Sequence, residues 1–496
     1  MKKIAILIVG ILVSNILFAQ KIEHKITVTA PQLANETMLL AYHYGKKQYI
    51  SDTFQFDKKG KLVMEGEEPM HHGVYLAVFP KFGNRYFEFL VKGQFFDITL
   101  ADTSQLNKPT FKNSPDNDLF YADMNKMADI RKQSQELEAK VKSSQGAAKE
   151  KYEAELKKLN NDFIGYREKL METNKNLFYA DLLGMMREID LPDAPESMTE
   201  DEQNNFRFEY FRKHYWDYTN FSEEGIIRTP IFEGKLLDYF DKYTVKLQDS
   251  VIVACDYVLK KAEQNDKVFQ YVLVTLLNKY ANSKVMGDDA VYVHLVNNYY
   301  ATDKAWWTDE ETVNKMKERA GALEPILIGK ISPDLNLRDT TVTNFVRLHS
   351  VESDYTIIFI WDPDCGHCKK AAPVLKKFYD KHKNDGIKVY AITTVSIEEL
   401  DKWKKFIREN DLNFINVGDL YHQTKFRDLY DISSTPQIFI LDSKKEIIAK
   451  RLGVEQLENF FHQYLKIKDD ARYNNFEFKK VEPLEEGHNE HDGHGH

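Results

Sequence analysis

Trp361-Asp362-Pro363-Asp364-Cys365-Gly366-His367-Cys368-Lys369-Lys370 sets two thiols three positions apart, directly after the apolar run Thr356-Ile357-Ile358-Phe359-Ile360-Trp361. A short unbroken apolar run is the pattern of a central strand buried on both faces. The residues from Gly366 to about Asn384 read as a helix, so the cysteines fall at the junction of strand and helix. A helix N-terminus stabilises a thiolate, which makes Cys365 the expected nucleophile. It attacks a substrate disulfide, and Cys368, less exposed in the first turn, resolves the mixed disulfide by intramolecular attack.

Other uses of this cysteine pair fit less well. A structural zinc site needs four ligands as a rule, and the chain has no second Cys-x-x-Cys. A permanent staple across so short a loop constrains little of the unfolded chain. A peroxidatic cysteine needs peroxide-activating groups, and no threonine precedes Cys365 in the usual place. An imidazole at His367 favours the Cys365 thiolate and makes the disulfide more oxidising, the plainer reading being an exposed, inert histidine. Cys255, in Val251-Ile252-Val253-Ala254-Cys255-Asp256-Tyr257, reads as a buried, unreactive core thiol, with a regulatory or intermolecular role as the alternative.

The α/β texture begins near Pro325. Beyond the Cys helix it predicts a strand over Ile387–Thr393, helices over Ile397–Glu409 and Tyr421–Tyr430, strands over Gln437–Leu441 and Glu446–Arg451, and a closing helix over Val454–Leu465. The Cys-x-x-Cys segment, Pro373 within the helix, and Ser434-Thr435-Pro436 ahead of a strand together resemble the thioredoxin superfamily, in particular its TlpA/ResA-like extracytoplasmic thiol-disulfide oxidoreductases. That resemblance covers about Leu335 to Leu465. It implies a cis proline at Pro436 facing the cysteines, backbone pairing of Thr435 with a substrate peptide, and an extra helix-strand unit supplied by Ala391–Val417. Cys365 and Cys368 are then catalytic, Gly366, His367 and Trp361 tune them, and Thr435 and Pro436 bind substrate, with no cofactor and no metal.

Two positions depart from the family pattern. Phe359 stands where many thioredoxins carry a buried aspartate, and Ala371 where many TlpA/ResA-like proteins carry a glutamate. The route by which Cys368 loses its proton is thereby open to water, Asp362 or Asp364. Cys-Gly-His-Cys is the tetrapeptide found in protein disulfide isomerases.

Upstream, Tyr152, Leu156, Leu159, Phe163, Tyr166 and Leu170 alternate by four and three, and Phe120 to Val141 forms a rougher stripe with Gly146 between them. This predicts an antiparallel helical hairpin opening an all-helical block that runs from Asp116 to Leu323. Trp216-Asp217-Tyr218, Thr229-Pro230, Met286-Gly287-Asp288 and Trp306-Trp307-Thr308 resemble a Bacteroidetes domain of unknown function. Its aromatic residues read first as core, and second as a protein-binding surface. From Ile22 to Phe111 short β-branched and aromatic runs, split by Gly, Asn and Asp, predict a meander or sandwich, resembling a second such domain.

The fold class expected is therefore multidomain: all-β over 20–113, all-α over 114–325 and α/β, thioredoxin-like, over 326–468. Residues 1–19 read as a cleaved signal peptide: Lys2 and Lys3 precede an apolar stretch shorter than the about 20 residues that cross a bilayer. Residues 469–496 form a polar tail carrying His488, His491, His494 and His496, read as solvated, with metal binding as the alternative. Charged residues at 29%, hydrophobic at 43% and 496 residues exclude a disordered polyelectrolyte and a membrane-embedded bundle, and a net charge of −9 disfavours nucleic acid. Three cysteines exclude a disulfide scaffold. The expected protein works in the periplasm or outside the cell, not integral to the membrane, on protein thiols and disulfides with a redox partner in the cell envelope. Electron direction stays open. The competing reading is a non-catalytic binding or envelope-associated module on a thioredoxin-like scaffold.

Overall fold

The computed structural model describes residues 21–469 apart from 103, 105 and 107, so the expected signal peptide and histidine-bearing tail lie outside the described residues. The chain divides after Asp241 into two compact units. That division falls inside the helical region, whereas the sequence suggests a single helical domain over 114–325.

The first unit opens with strands β1 (His24–Thr29), β2 (Thr37–Tyr44), β3 (Lys47–Gln55), β4 (Lys61–Gly66), β5 (Gly73–Phe79), β6 (Arg85–Val91), β7 (Phe95–Thr99) and β8 (Thr110–Lys112). They form two four-stranded sheets, β4-β1-β7-β8 and β3-β2-β5-β6. Ile26 and Val28 of one share a single core with Leu40, Phe87 and Phe89 of the other, which makes a sandwich. Gly60 closes the turn before β4 with φ +72°, where a Cβ would lie 2.3 Å from the Ala30 carbonyl oxygen. Helices α1 (Pro115–Ser143) and α2 (Gly146–Thr173) are the expected hairpin, followed by α3 (Phe178–Met186), α4 (Glu200–His214) and α5 (Phe232–Lys242). Polar residues that periodicity does not single out hold the base of the hairpin. Buried Asn117 accepts from Leu90 N–H at 2.7 Å and donates to the Leu90 carbonyl at 2.8 Å, and buried Asp123 accepts from Arg167 and from the Tyr179 hydroxyl.

In the second unit α6 (Gln248–Ala262), α7 (Asp266–Ala281), α8 (Asp288–Leu295), which runs into a π turn at Val296–Tyr300, and α9 (Glu310–Leu323) precede the α/β part. There follow β9 (Asn336–Asp339), β10 (Phe345–Arg347), β11 (Tyr355–Trp361), α10 (Gly366–His382), β12 (Ile387–Thr393), α11 (Leu400–Glu409), β13 (Ile415–Gly418), α12 (Phe426–Leu429), β14 (Gln437–Leu441), β15 (Ile447–Lys450) and α13 (Leu457–Asp469). The sheet order is β10-β9-β13-β12-β11-β14-β15, with β11, β12 and β13 mutually parallel. Every residue of β11 is buried. Ile357, Phe359 and Trp361 face the α10 and α11 side, while Ile358 and Ile360 enter the opposite core with Tyr430 and Phe439. The segment expected to supply an extra helix-strand unit holds α11 and β13. The helix expected over Tyr421–Tyr430 is a single turn, because the Asp419 carboxylate accepts from the backbone N–H groups of Gln423 and Thr424 and holds a loop there, with His422 at φ 53°.

One buried ion pair joins α8 to the sheet. Lys450, its side chain 2% exposed, pairs with Asp289 and donates to the Ile326 carbonyl at 2.7 Å. Burial holds its ammonium below the usual lysine range, against the pull of Asp289. Asp289→Ala strands this cation and is expected to destabilise the second unit by about 3–5 kcal/mol in denaturant unfolding, whereas the double change Lys450→Met with Asp289→Leu, which removes both charges, recovers most of that loss.

Candidate functional site

Strand β11 ends at Trp361, and the four residues before α10 turn the chain so that Cys365 caps the helix. The Asp362 carboxylate accepts from Asp364 N–H at 2.8 Å and from the Thr394 hydroxyl at 2.8 Å, and the Asp362 carbonyl accepts from Cys365 N–H at 3.2 Å. Cys365 is half-buried in extended backbone geometry, and its sulfur accepts from Cys368 N–H at 3.4 Å, the N-cap pattern. Gly366 and His367 are exposed, and a Cβ at Gly366 would meet nothing within 4 Å. Cys368 is fully buried one turn into α10, beside Ala371 and Ala372.

The Thr435–Pro436 peptide is cis. The Thr435 carbonyl lies 3.4 Å from Cys365 Sγ, placed to accept from the thiol. Thr435, one of the two substrate-binding residues expected from the resemblance, is therefore brought against Cys365 from 70 positions downstream, with Pro436 following it in the cis bond.

The environments separate the two sulfurs. Partial burial opposes ionisation of Cys365, but the thiol and N–H of Cys368, the Thr435 hydroxyl and the His367 N–H together outweigh it and hold Cys365 below the ordinary thiol range. Cys368 is pushed up to about 11, first by burial and also by the proximity of Cys365. His367 thus acts on Cys365 through its backbone. Trp361 is wholly buried, stacked at 6.1 Å on Phe359 and packed at 5.1 Å against Phe406, so it shapes the floor of the site rather than its client-facing surface.

The two positions without an acid are both apolar: Phe359 is buried in the same core as Cys368, and Ala371 sits one turn along its helix. Of the carboxylates considered as substitutes, Asp362 is engaged by Asp364 and Thr394, and Asp364 is ion-paired with Lys402 and Lys369. Lys402, from α11, is a neighbour that sequence spacing does not single out. Cys255 lies fully buried in α6, where burial lifts its thiol well above the ordinary range, as its apolar surroundings led us to expect. Among the described residues no cluster of three or more His, Cys, Asp or Glu side chains is arranged to hold a metal ion.

A half-buried thiol inclined to ionise, beside a peptide carbonyl, and a fully buried partner inclined to stay protonated form a pair suited to two successive thiol-disulfide exchanges. In reduced full-length protein the alkylation rate with iodoacetamide is expected to rise through a midpoint below about 8.5 and to report Cys365 alone, since Cys255 and Cys368 are protonated and shielded at that pH.

Three parts of the chain match known families. Residues 328–450 match the AhpC/TSA family, residues 143–321 the domain of unknown function DUF5106, and residues 24–120 the domain of unknown function DUF4369. The chain is 32% identical over 109 residues to sporulation thiol-disulfide oxidoreductase A of Bacillus subtilis (strain 168), covering 21% of this chain and 65% of that protein, just under two thirds of its length. It is 25% identical over 143 residues to the thiol-disulfide oxidoreductase ResA of Bacillus cereus (strain ZK / E33L), covering 28% of this chain and 80% of that one. Among solved structures, a domain of a possible thiol-disulfide isomerase from Cytophaga hutchinsonii ATCC 33406 is 42% identical over 28% of this chain and 94% of its own, with a TM-score of 0.26. A thioredoxin-like protein from Bacteroides caccae ATCC 43185 is 24% identical over 56% of this chain and 99% of its own, with a TM-score of 0.43. With a strand-helix junction that presents Cys365 to a cis-proline loop, the C-terminal part of the chain is thioredoxin-like in fold, matches the AhpC/TSA family over residues 328–450, is similar in sequence to thiol-disulfide oxidoreductases including ResA, and follows two regions that match domains of unknown function.

Proposed function

We propose that this protein is an extracytoplasmic thiol-disulfide oxidoreductase that exchanges disulfides with protein clients through Cys365 and Cys368. The observation that carries the reading is the unequal pair: Cys365 held toward its thiolate at the helix cap and against Thr435, Cys368 buried and held toward its thiol. The Cys365 thiolate attacks one sulfur of a client disulfide, forming a mixed disulfide and expelling the other client sulfur as a thiolate. Cys368 gives up its proton to solvent and attacks Cys365 Sγ, which releases the reduced client and leaves Cys365–Cys368 oxidised. Run in reverse, the same steps oxidise a client dithiol. A redox partner in the envelope resets the pair in either direction.

Compartment rests on the N-terminal segment: Lys2 and Lys3 before an apolar run ending at Ala19 support export, and disulfides persist only outside the reducing cytosol. Among the described residues no helix is long and apolar enough to cross a membrane.

The direction we favour is oxidation or isomerisation. Stabilising the Cys365 thiolate stabilises the reduced form, which makes the disulfide the stronger oxidant. Apolar surroundings at Phe359 and Ala371 slow deprotonation of Cys368, so mixed disulfides live long enough to rearrange.

Cys365→Ser is expected to abolish turnover of a test disulfide by the full chain, and Cys368→Ala to accumulate covalent client adducts, resolved by non-reducing gels and mass spectrometry. Adducts with multi-cysteine secreted proteins are the expected result. A single partner with its own redox pair would instead mark a dedicated reductant relay, and absence of any adduct a binding module. Equilibration with glutathione should place the couple above thioredoxin's about −270 mV, toward the about −180 mV of a disulfide isomerase. Ala371→Glu puts a carboxylate one helical turn from Cys368 and should speed release of the mixed disulfide by about 10-fold or more in stopped-flow measurements.

A further inference from the structure

The loop that carries Thr435 is short, running from Asp431 to Thr435. It leaves Tyr430, which is fully buried with its hydroxyl donating to the Pro333 carbonyl at 2.5 Å, and it ends at the cis Pro436. Between these, Ser433 and Ser434 are exposed and Ile432 N–H donates to the Arg427 carbonyl at 2.7 Å. Ile432 also packs against the core beneath the loop, and Asp431 is a further, charged anchor. Its side chain is mostly buried, and its carboxylate is shared by two guanidinium groups: Arg319 of α9 pairs with Oδ1, and Arg451, directly after β15, pairs with Oδ2 at 3.2 Å.

Both Asp431 and Arg451 have positive φ, 51° and 60°. Such backbone conformations in non-glycine residues persist where surrounding interactions over-determine them. A lone exposed ion pair would contribute little. Here one carboxylate receives two cations from separate elements, and the group they fix is four residues from the carbonyl that faces Cys365. The adjacent residue, Lys450, is held by Asp289 of α8. Consecutive residues at the end of β15 thus tie the sheet to α8 and, through Asp431, to α9.

We propose that Arg319 is a positioning residue of the exchange site: by holding Asp431 it keeps Thr435 against Cys365, so the last helices before the α/β part are a working component of that site. The inference rests on the exchange reading given above, and adds to it a function for helices outside the residues matched by the AhpC/TSA family. The groups facing Cys365 are Cys368, the Thr435 hydroxyl and carbonyl, and the N–H of His367. Losing the Thr435 hydroxyl from this set disfavours the thiolate and losing its carbonyl, which accepts from the thiol, favours it, so loosening the loop should displace the Cys365 profile.

The test is the pH profile of Cys365 alkylation in the reduced full-length protein, with near-ultraviolet circular dichroism to verify folding. Arg319→Ala should displace the midpoint and change the alkylation rate at pH 7 by about 2- to 10-fold. Arg319→Lys, which keeps the charge, should return part of that shift, and Lys315→Ala on the exposed face of the same helix should move nothing. Asp431→Asn gives a second route: it should produce a similar shift, and adding Arg319→Ala to it should change the profile no further. A folded Arg319→Ala with an unmoved profile overturns the proposal, as does an Arg319→Ala shift that persists in full in the Asp431→Asn background. Turnover of a test disulfide by the wild type, measured in parallel, keeps the two readings apart: turnover present with an unmoved Arg319→Ala profile removes the positioning role and leaves the exchange activity standing.

Discussion

Burial of β11 on both faces is the constraint on which the C-terminal unit depends. Seven consecutive residues from Tyr355 to Trp361 are removed from water, and an apolar strand of that kind is stable only if each face is covered. Helices α10 and α11 cover one face through Phe359, Trp361, Leu375 and Trp403, while the segments bearing Ile326, Leu335 and Tyr430 cover the other. The backbone of β11 pairs with β12 on one side and β14 on the other. Since β14 begins directly after the cis proline, the pairing that satisfies the central strand also brings Thr435 beside the end of β11, where Cys365 caps the next helix. Core formation and assembly of the reactive site are the same event.

The reactivity of the pair follows from a difference in exposure across one helical turn. Cys365 is partly reached by solvent and by hydrogen-bond donors, whereas Cys368 is wholly buried among apolar side chains, with Cys365, the Asp362 backbone and the Thr435 side chain as its polar neighbours. The two sulfurs are chemically identical in an unfolded chain. Their different ionisation is a product of burial, and the attacking and resolving roles proposed for them rest on that difference, with no carboxylate at Phe359 or Ala371 to reduce it. In the proposed exchange, an arrangement without that acid would give up speed of release and lengthen the life of the mixed disulfide.

The division of the chain into compact units gives the helical region two structural settings. Helices α1 to α5 join the β-sandwich unit, where Asn117 completes the backbone hydrogen bonding of Leu90, and α6 to α9 join the α/β unit, where Asp289 and Arg319 meet charges at the end of β15 and in the cis-proline loop. A helix that buries an apolar stripe can pack against many surfaces. The buried and shared ion pairs specify which surface, because an unpaired charge at Lys450 or Asp431 would be costly in any other arrangement.

Much of this was legible in the sequence. Period-2 runs marked the sandwich, four-three alternation marked the α1–α2 hairpin, and the apolar run ahead of Cys-x-x-Cys placed both cysteines at a strand-helix junction, because these patterns depend on local geometry repeated over many residues. The single turn at Phe426–Leu429 defeated the same logic: a capping carboxylate at Asp419 outcompeted helical periodicity, and one side chain leaves no periodic trace. The partners of Asp431 were likewise invisible, since Arg319 lies 112 positions away and nothing in spacing distinguishes it from the chain's other basic residues. By itself, the sequence determined which residues could react and which stretches would form strands or helices, for those follow from chemistry and near neighbours. Only the tertiary structure decided which thiol is exposed, which charges are shared and which loop is held against the nucleophile, because burial and ion pairing are properties of surfaces that meet only after the chain has folded.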